Sequence, residues 1–384
     1  DELIAELAQN RRMRDEPNPP SHSFERRDAR GIDRAQITLH RPPGRDAAVK
    51  LVATTCRYPG FAFESERVDA ASYKLIAASH GDAAAMLMLG DQIYADATAN
   101  ILDTLTTLEK YEERYYDLFT ADYFAKAVRS IPCYMTPDDH EFQDAWSKPD
   151  DRLRCDQFAA AKRSLEVFQL SHSPWSANQA SVSYDYRFFV GKVGVYAMDT
   201  LSNKDTAAPG ALCLVSNQQL IDFRDWLVNE TTNVTHVILA TGAVIASGFK
   251  QGLAPDKTAD SHRAQGLDNW QMFNAQRTRL IEIIEEHRAG KHLLLLSGDY
   301  HCAAQAVIQR NGQKIASAVV VPPAYAPMSY LNASIGELAA LETLGNYVIS
   351  LLPGSAREGS GFAVIKTSDA GWDVDFQVTP VADV

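Results

Sequence analysis

Short apolar segments of this chain are followed directly by residue types that bind metals or transfer protons. The five places are Thr55-Cys56-Arg57, Gly90-Asp91, Pro137-Asp138-Asp139-His140-Glu141, Asp199-Thr200 and Gly298-Asp299-Tyr300-His301. A mixed set of thiol, imidazole and several carboxylates suits one or two hard or borderline cations. It differs from the Cys and His set of a structural zinc site. The pattern therefore favours a catalytic metal centre.

The apolar segments predict the elements that must position these residues. They cover residues 49–55, 83–89, 131–136, 193–199, 235–242 and 291–298. Each is too short for a buried helix and is apolar on both faces, which is typical of a central strand covered on both sides. In layered sheets the ligand crevice lies beyond the carboxyl ends of the strands. We therefore expect the reactive residues to converge on one edge of the fold.

The remaining segments predict helices and a strand-rich C-terminal part. Helices are expected over 66–79, 105–129, 156–170, 217–229 and 272–288. After residue 303, Asn311-Gly312 predicts a hairpin turn, and residues 361–380 predict a second hairpin. Strand runs alternating with amphipathic segments indicate an α/β or layered α/β/β/α domain.

The domain is expected to extend from residue 48 to residue 384, with a helical insertion at about 97–180 that shapes the pocket. Residues 1–47 are polar, and the segment 1–13 could form a short helix. We interpret this region as an N-terminal arm or the remnant of a preceding module.

The composition limits the classes of function. The chain has 49 acidic and 37 basic residues and a formal charge of -12, which argues against a nucleic-acid-binding surface. No apolar stretch is long enough for a membrane span, and the chain begins without a signal-like segment. A secreted or periplasmic location, if a leader was removed, and a cytoplasmic one both stay open. The oligomeric state is open too. The five cysteines show no CxxC spacing and no disulfide framework.

The motifs GDQIY, DDHE and GDYH resemble those of the calcineurin-like metallophosphoesterases, whose pattern is GDxxD or GDxxY, then GNHE, then GHxH. The tyrosine form of the first motif is similar to that of purple acid phosphatases, where the phenolate binds ferric iron. With Cys56 after the first strand and Asp268-Asn269-Trp270 before a helix, the set looks most similar to the PhoD-like alkaline phosphatase/phosphodiesterase branch. The resemblance covers roughly residues 48–305. It implies a four-layer α/β/β/α sandwich that hydrolyses phosphomonoesters and/or phosphodiesters by metal-activated hydroxide.

The resemblance also implies roles for individual residues. The implied metal ligands are Cys56, Asp91, Tyr94, Asp139, Asp299 and His301. Among them, Cys56 and Tyr94 would bind ferric iron, and Asp91 would bridge two metals. His140 would donate a proton or a hydrogen bond to the phosphoryl group, and Arg57 is a plausible phosphate clamp. Iron and calcium are the implied cofactors, with zinc, manganese or magnesium as alternatives.

One position departs from the PhoD-like pattern, which often continues Asp-Thr-Arg where this chain has Asp199-Thr200-Leu201. A basic phosphate contact could be missing, or could come from Arg57, Lys204 or Arg263. The expected partner is a small phosphate ester. A phosphodiester lipid, a teichoic-acid-like polymer and a phosphotriester are alternative substrates, and a metal-binding scaffold without turnover is the non-enzyme alternative. The intact His140 and ligand set speak against that last alternative.

Overall fold

The structure is a computed structural model that describes residues 22–28, 31–37, 43–44, 47–59, 67–96, 107–148, 150–174, 183–206, 212–246, 248, 250, 269–326 and 335–380. None of the helices it describes is long and apolar enough to cross a membrane. The helix predicted within residues 1–13 lies outside the described residues.

The described elements alternate along the chain. The strands are β1 (His22–Asp28), β2 (Gly31–Ile37), β3 (Lys50–Arg57), β4 (Ala85–Leu89), β5 (Cys133–Thr136), β6 (Tyr186–Val190), β7 (Val193–Ala197), β8 (His236–Thr241), β9 (His292–Ser297), β10 (Cys302–Arg310), β11 (Gln313–Val320), β12 (Pro323–Tyr325), β13 (Leu341–Leu344), β14 (Tyr347–Leu351), β15 (Arg357–Glu358), β16 (Ser360–Ser368) and β17 (Gly371–Thr379). The helices are α1 (Tyr73–Ser79), α2 (Leu108–Thr120), α3 (Asp122–Ser130), α4 (Asp150–Leu153), α5 (Cys155–Phe168), α6 (Asn217–Asn229) and α7 (Asn274–His287).

Two large sheets form the centre of the fold. The smaller has the order β17-β16-β3-β4-β5, with β12 beside β3, and the larger has the order β13-β14-β10-β11-β9-β8-β7-β6. Strands β3, β4 and β5 are parallel to one another, as are β7, β8, β9 and β11. Strands β1 and β2 form a separate antiparallel pair. The six predicted core strands are thus all present, and each sheet has a parallel centre.

The sheets pack face to face, and helices cover their outer faces. Leu51 and Leu87 of the smaller sheet share one buried cluster with Ile238 and Leu296 of the larger sheet. Because strand side chains alternate between faces, the neighbouring residues point to the outer layers. There α6 and α7 pack on the larger sheet, while α1, α2, α3 and α5 pack on the smaller one. This arrangement confirms the predicted α/β/β/α sandwich.

Two helix predictions need correction. The helix predicted over 66–79 begins only at Tyr73, and residues 67–72 form turns in which Asp69 pairs with Arg57. The helix predicted over 105–129 is two helices, because Ala121 has an extended backbone with ψ 124° between α2 and α3. These helices belong to the outer layer, and β5, which falls in the same 97–180 range, belongs to the smaller sheet. The domain boundaries themselves stay a prediction.

Candidate metal centre

The carboxyl ends of β3, β4 and β9 and the short helical turn after β5 bring the predicted ligands together. Ligand atoms of Cys56, Asp91 and His301 lie within 4.8 Å of one another, and so do those of Asp91, Asp139 and His140. Asp91 belongs to both groups. A carboxylate shared by two adjacent groups can bridge two metal ions, so the two groups fit a dinuclear centre.

Tyr94 completes the first group. Its hydroxyl lies 2.8 Å from Nε2 of His301 and 3.5 Å from Oδ2 of Asp91. The Cys56 thiol lies 3.4 Å from the same Oδ2. Sulfur, nitrogen, phenol and carboxylate donors therefore surround one point. Cys56, Asp91 and Tyr94 are almost fully buried, so they are shielded from bulk water.

Asp139 and Asp299 both lie near this group, but only Asp139 belongs to one of the two ligand groups of the described residues. Oδ2 of Asp139 accepts the backbone N–H of Ala145 at 2.6 Å. Asp299 is in neither ligand group of the described residues. Its carboxylate is nevertheless close enough to help raise the pKa of the Cys56 thiol, after burial and Asp91.

The backbone is held in an unusual conformation at the predicted ligands. Six described non-glycine residues have positive φ, and four of them are Cys56 at 46°, Asp91 at 55°, Asp299 at 68° and His301 at 51°. Non-glycine residues in the left-handed region store strain and persist only where the surroundings fix them. Strain concentrated at four candidate ligands is typical of a functional site.

Two glycines allow the loops after β4 and β8 to approach the loop after β5. Gly90 has φ +85°, and a side chain there would overlap the Cβ of Asp138. A side chain at Gly242 would come within 2.8 Å of the Asp138 carboxylate. Only glycine fits at these positions, so the GD motif after β4 can lie directly against the PDDHE segment.

Glu141 links the same two loops, a role that the sequence prediction missed. Its side chain is fully buried and accepts the backbone N–H groups of Asp91 at 3.0 Å, Gln92 at 2.6 Å and Asp138 at 2.8 Å. Gln169 donates to it as well, at 2.8 Å. Burial raises the pKa of Glu141 to about 7, although the surrounding N–H donors favour the carboxylate. The D-x-x-E spacing of a capping box was the sequence signal that could have identified this role.

His140 is held by Asp96. Nδ1 of His140 lies 2.8 Å from Oδ1 of Asp96, whose Oδ2 accepts the backbone N–H of Asp144 at 2.7 Å. Burial alone would lower the pKa of His140, but Asp91 and the hydrogen bond to Asp96 raise it well above its usual value. A histidine with Nδ1 bonded to a carboxylate has Nε2 available for another partner. Asp96 thus orients the His140 ring.

The remaining donors form a cluster of buried acidic groups whose ionised forms a cation would stabilise. Burial, followed by neighbouring charges, raises the pKa values of the Asp91 and Asp138 carboxyls well above their usual range. A cation among such groups would favour their ionised forms. Burial and then His140 lower the pKa of His301 to about 3. The neutral imidazole that a metal requires is therefore the stable form of His301.

The structure gives different surroundings to the basic residues that were predicted to contact phosphate. The guanidinium of Arg57 makes a bidentate ion pair with Asp69, at 2.7 and 3.0 Å. Two of its donor groups are thus directed away from the predicted phosphate contact. Nζ of Lys204, in contrast, is buried at the site, 3.7 Å from Oδ2 of Asp139. Arg263 lies outside the described residues, as does Asp268.

Asp199 and Leu201 stabilise the loop after β7 and lie outside the two ligand groups of the described residues. The Asp199 carboxylate accepts backbone N–H groups from Tyr184 at 2.8 Å, Leu201 at 2.9 Å and Ser202 at 3.0 Å. Leu201 is buried in the apolar cluster beneath the site. The backbone N–H of Lys204 donates to the Leu201 carbonyl at 3.1 Å. Leu201 is the position that departs from the PhoD-like pattern. The turn that follows it brings the ammonium group of Lys204 to the site.

The fold has known relatives among solved structures. One is described as the structure of PhoD, with a TM-score of 0.61 and 14% identity, covering 90% of this chain and 71% of that chain. Another is purple acid phosphatase PPD1 from yellow lupin (Lupinus luteus) seeds, with a TM-score of 0.59 and 12% identity. The match covers 94% of this chain and 58% of that chain. At these identities the likeness shows the fold alone. No functionally curated protein matches the chain by sequence.

The four-layer sandwich with paired ligand groups at one edge defines a metal-dependent phosphoesterase. A sequence profile of the PhoD-like phosphatases matches residues 60–338, which is well over half of the chain. The chain belongs to the PhoD-like phosphatase family. Cys56 and Arg57 precede the matched range, so their roles depend on the geometry of the site.

Proposed function

We propose that the chain hydrolyses phosphomonoesters and/or phosphodiesters at a heteronuclear centre of ferric iron and calcium. The observation that supports this proposal is the position of Asp91 in both ligand groups. Bound metals would supply an activated water and positive charge for the phosphoryl oxygens. Zinc, manganese or magnesium in place of calcium is the alternative.

Cys56, Tyr94 and His301 would hold the iron together with Asp91. Thiolate, phenolate and imidazole are softer donors than carboxylate, and such a set favours a transition metal over calcium. The buried positions of Cys56 and Tyr94 keep both groups protonated until a cation displaces the protons. Iron loading should therefore release protons and depend on pH.

Asp139 and Asp299, with the other oxygen of Asp91, would hold the second ion. All three offer carboxylate oxygens, the ligands that calcium prefers. The N–H of Ala145 fixes Oδ2 of Asp139, which limits the orientations of that carboxylate. Although His140 lies in this group, we assign it to the substrate because the PhoD-like resemblance gives that role to the histidine of the DDHE motif.

His140 would protonate the leaving-group oxygen, and Lys204 would face the phosphoryl group. Burial lowers the pKa of His140, but Asp91 and Asp96 raise it above its usual value, which favours the protonated form that a proton donor requires. Lys204 is a buried cation beside Asp139, and this position supports its assignment to the phosphate contact. Lys204 thus replaces Arg57 as our candidate for the basic phosphate contact.

The Asp91→Asn variant tests the proposed centre. Because the amide replaces the ionised oxygen that both groups share, we expect loss of metal loading and of turnover. Asp122→Asn, on the exposed face of α3, is the matched control and should keep both. Elemental analysis and hydrolysis of mono-aryl and bis-aryl phosphates are the measurements. An Asp91→Asn protein that hydrolyses either ester with two metals bound would refute the proposal.

The colour of the purified protein tests the metal assignment separately. Charge transfer from Tyr94 or Cys56 to ferric iron should give a violet or brown protein. Tyr94→Phe and Cys56→Ser should each change the absorption band. A colourless protein that contains a full equivalent of iron would contradict ferric ligation while leaving a two-metal centre of other composition open.

A further inference from the structure

A cavity of about 240 Å³ lies far from the metal centre, at the opposite end of β9. Its lining includes Arg288, Lys291, His292, Lys314 and Trp372. Strand β9 begins at His292 and ends at Ser297, just before the ligand Asp299, so the two sites are separated by roughly 17 Å or more. The cavity is therefore a separate feature of the fold.

The charge of this cavity is opposite to that of the whole chain. Arg288, Lys291 and Lys314 line it, and none of its described lining residues is Asp or Glu. The chain as a whole carries a formal charge of -12. Within the described ranges, no ion pair uses any of these three cations, while Arg279 and Arg310 nearby pair with Glu282 and Glu285. The cavity thus concentrates three cations that form no close ion pair within these ranges, although Arg288 also interacts electrostatically with Glu285.

These cations come from several elements, so the end of one helix does not explain them. Arg288 follows α7, where cations often interact with terminal carbonyls. Lys314, however, lies on β11, and His292 starts β9. The Nε of Arg288 is also buried and has no hydrogen-bond partner among the described residues. A water molecule or an external acceptor can satisfy such a donor.

The hairpin between β16 and β17 gives the cavity a fixed wall. The indole N–H of Trp372 donates to the His292 carbonyl at 3.1 Å. His236 contacts the carbonyls of Ser368 and Gly371 through Nε2, at 3.1 Å each. Gly371 has φ +120°, and a side chain there would lie 3.2 Å from the His292 ring. The turn is therefore held in place and leaves the His292 ring without a side chain over it on the side of Gly371, while the His236 ring packs 4.9 Å from it.

We propose that this cavity is a second anion site that binds a phosphate group, distinct from the metal centre. A compact oxyanion offers several acceptors, which match the guanidinium, ammonium and imidazole donors that converge there. The phosphate could be inorganic phosphate or the diester group of a longer substrate, and both share the chemistry that the cavity recognises. The site requires neither iron nor the proposed reaction.

Lysine acylation footprinting of the full-length, metal-loaded protein tests this site. N-hydroxysuccinimidyl acetate is applied with and without inorganic phosphate, and with sodium chloride at equal ionic strength, and each lysine is followed by mass spectrometry. We expect phosphate to slow acylation of Lys291 and Lys314 at least threefold. Lys126 and Lys366, which are exposed elsewhere, serve as internal controls and should react at an unchanged rate.

Dimethyl phosphate in a parallel arm distinguishes the sources. Protection by inorganic phosphate alone identifies a product-like anion, and protection by both identifies a site that also accepts a diester. The Asp91→Asn variant should show the same protection, which separates this site from the metal centre. Lys314→Met should raise the phosphate concentration that half-protects Lys291 about tenfold, and Lys366→Met should not. Equal acylation of Lys291 and Lys314 with phosphate and with chloride would overturn the proposal.

Discussion

At the residue scale, the centre depends on side chains that are held in place by other side chains. Asp91 accepts from the backbone of His140 at 3.3 Å, and Asp96 and Glu141 fix the two loops around it. Such supporting contacts set the orientation and basicity of the groups that touch metal and substrate. Substitution of Asp96 or Glu141 should therefore change the hydrolysis reaction without removing a metal ligand.

Asp96→Asn should change the pH dependence of hydrolysis. Burial lowers the pKa of His140, while Asp91 and the Asp96 carboxylate raise it, so loss of the Asp96 charge should lower it. A proton donor fails when pH rises through its pKa, and the alkaline limb of the kcat profile should thus move to lower pH. The acidic limb serves as the internal reference. An unchanged alkaline limb would show that His140 is not the acid.

Asp299→Gly should make the metal-free protein more stable and the centre inactive. The variant removes a left-handed non-glycine residue and one carboxylate from a cluster of like charges, so we expect about 1 kcal/mol more stability in chelator. Asn311→Gly has the same backbone conformation at a hairpin and is the matched control. It should keep metal binding. Denaturant unfolding and metal analysis would contradict the account if Asp299→Gly bound two ions normally.

At the element scale, the site exists because the ends of two sheets meet at one edge. Gly298, directly after β9, lies against the ends of β3 and β4. A side chain there would overlap the Leu89 carbonyl and the Thr55 hydroxyl. The Thr55 hydroxyl itself donates to the Leu89 carbonyl at 2.6 Å. This contact fixes the distance between His301 on one sheet and Asp91 on the other.

Gly298→Ala should therefore move His301 away from Asp91. Because the new methyl group has no space between packed backbones, we expect a loss of about 3 kcal/mol in the free energy of unfolding. Gly81→Ala, after α1, meets only the Ala77 carbonyl at 3.9 Å and should be neutral or slightly stabilising. Urea denaturation of both variants measures this difference. Equal stability of the two would show that the sheets do not depend on this close approach.

The sequence predicted the strands well because their signal is local. Each central strand is a short apolar run, and the ligand types follow these runs directly, as Asp91 follows β4 and Asp299 follows β9. The division between α2 and α3 was missed because it depends on the single extended residue Ala121. The contacts of Arg57 and Lys204 were not predictable, because they depend on how turns at 67–72 and 201–204 fold back over the sheets.

At the scale of the whole molecule, the two proposed sites would attract phosphate in different ways. The carboxylates at the carboxyl edge of the sheets would bind metal ions there, while the cavity beside His292 carries its cations on the chain itself. Metal binding should also stabilise the folded state, because the ligand groups are assembled only by the packed sheets. Under the two proposals, phosphate binding in the cavity and metal loading take place at different surfaces of the sandwich.

The most direct test of the central claim is anomalous scattering from crystals of the metal-loaded protein, combined with elemental analysis. We predict two ions about 3.5–4 Å apart that share the Asp91 carboxylate. Iron should lie on the side of Cys56, Tyr94 and His301. A single ion, or two ions of which neither contacts Asp91, would contradict the account.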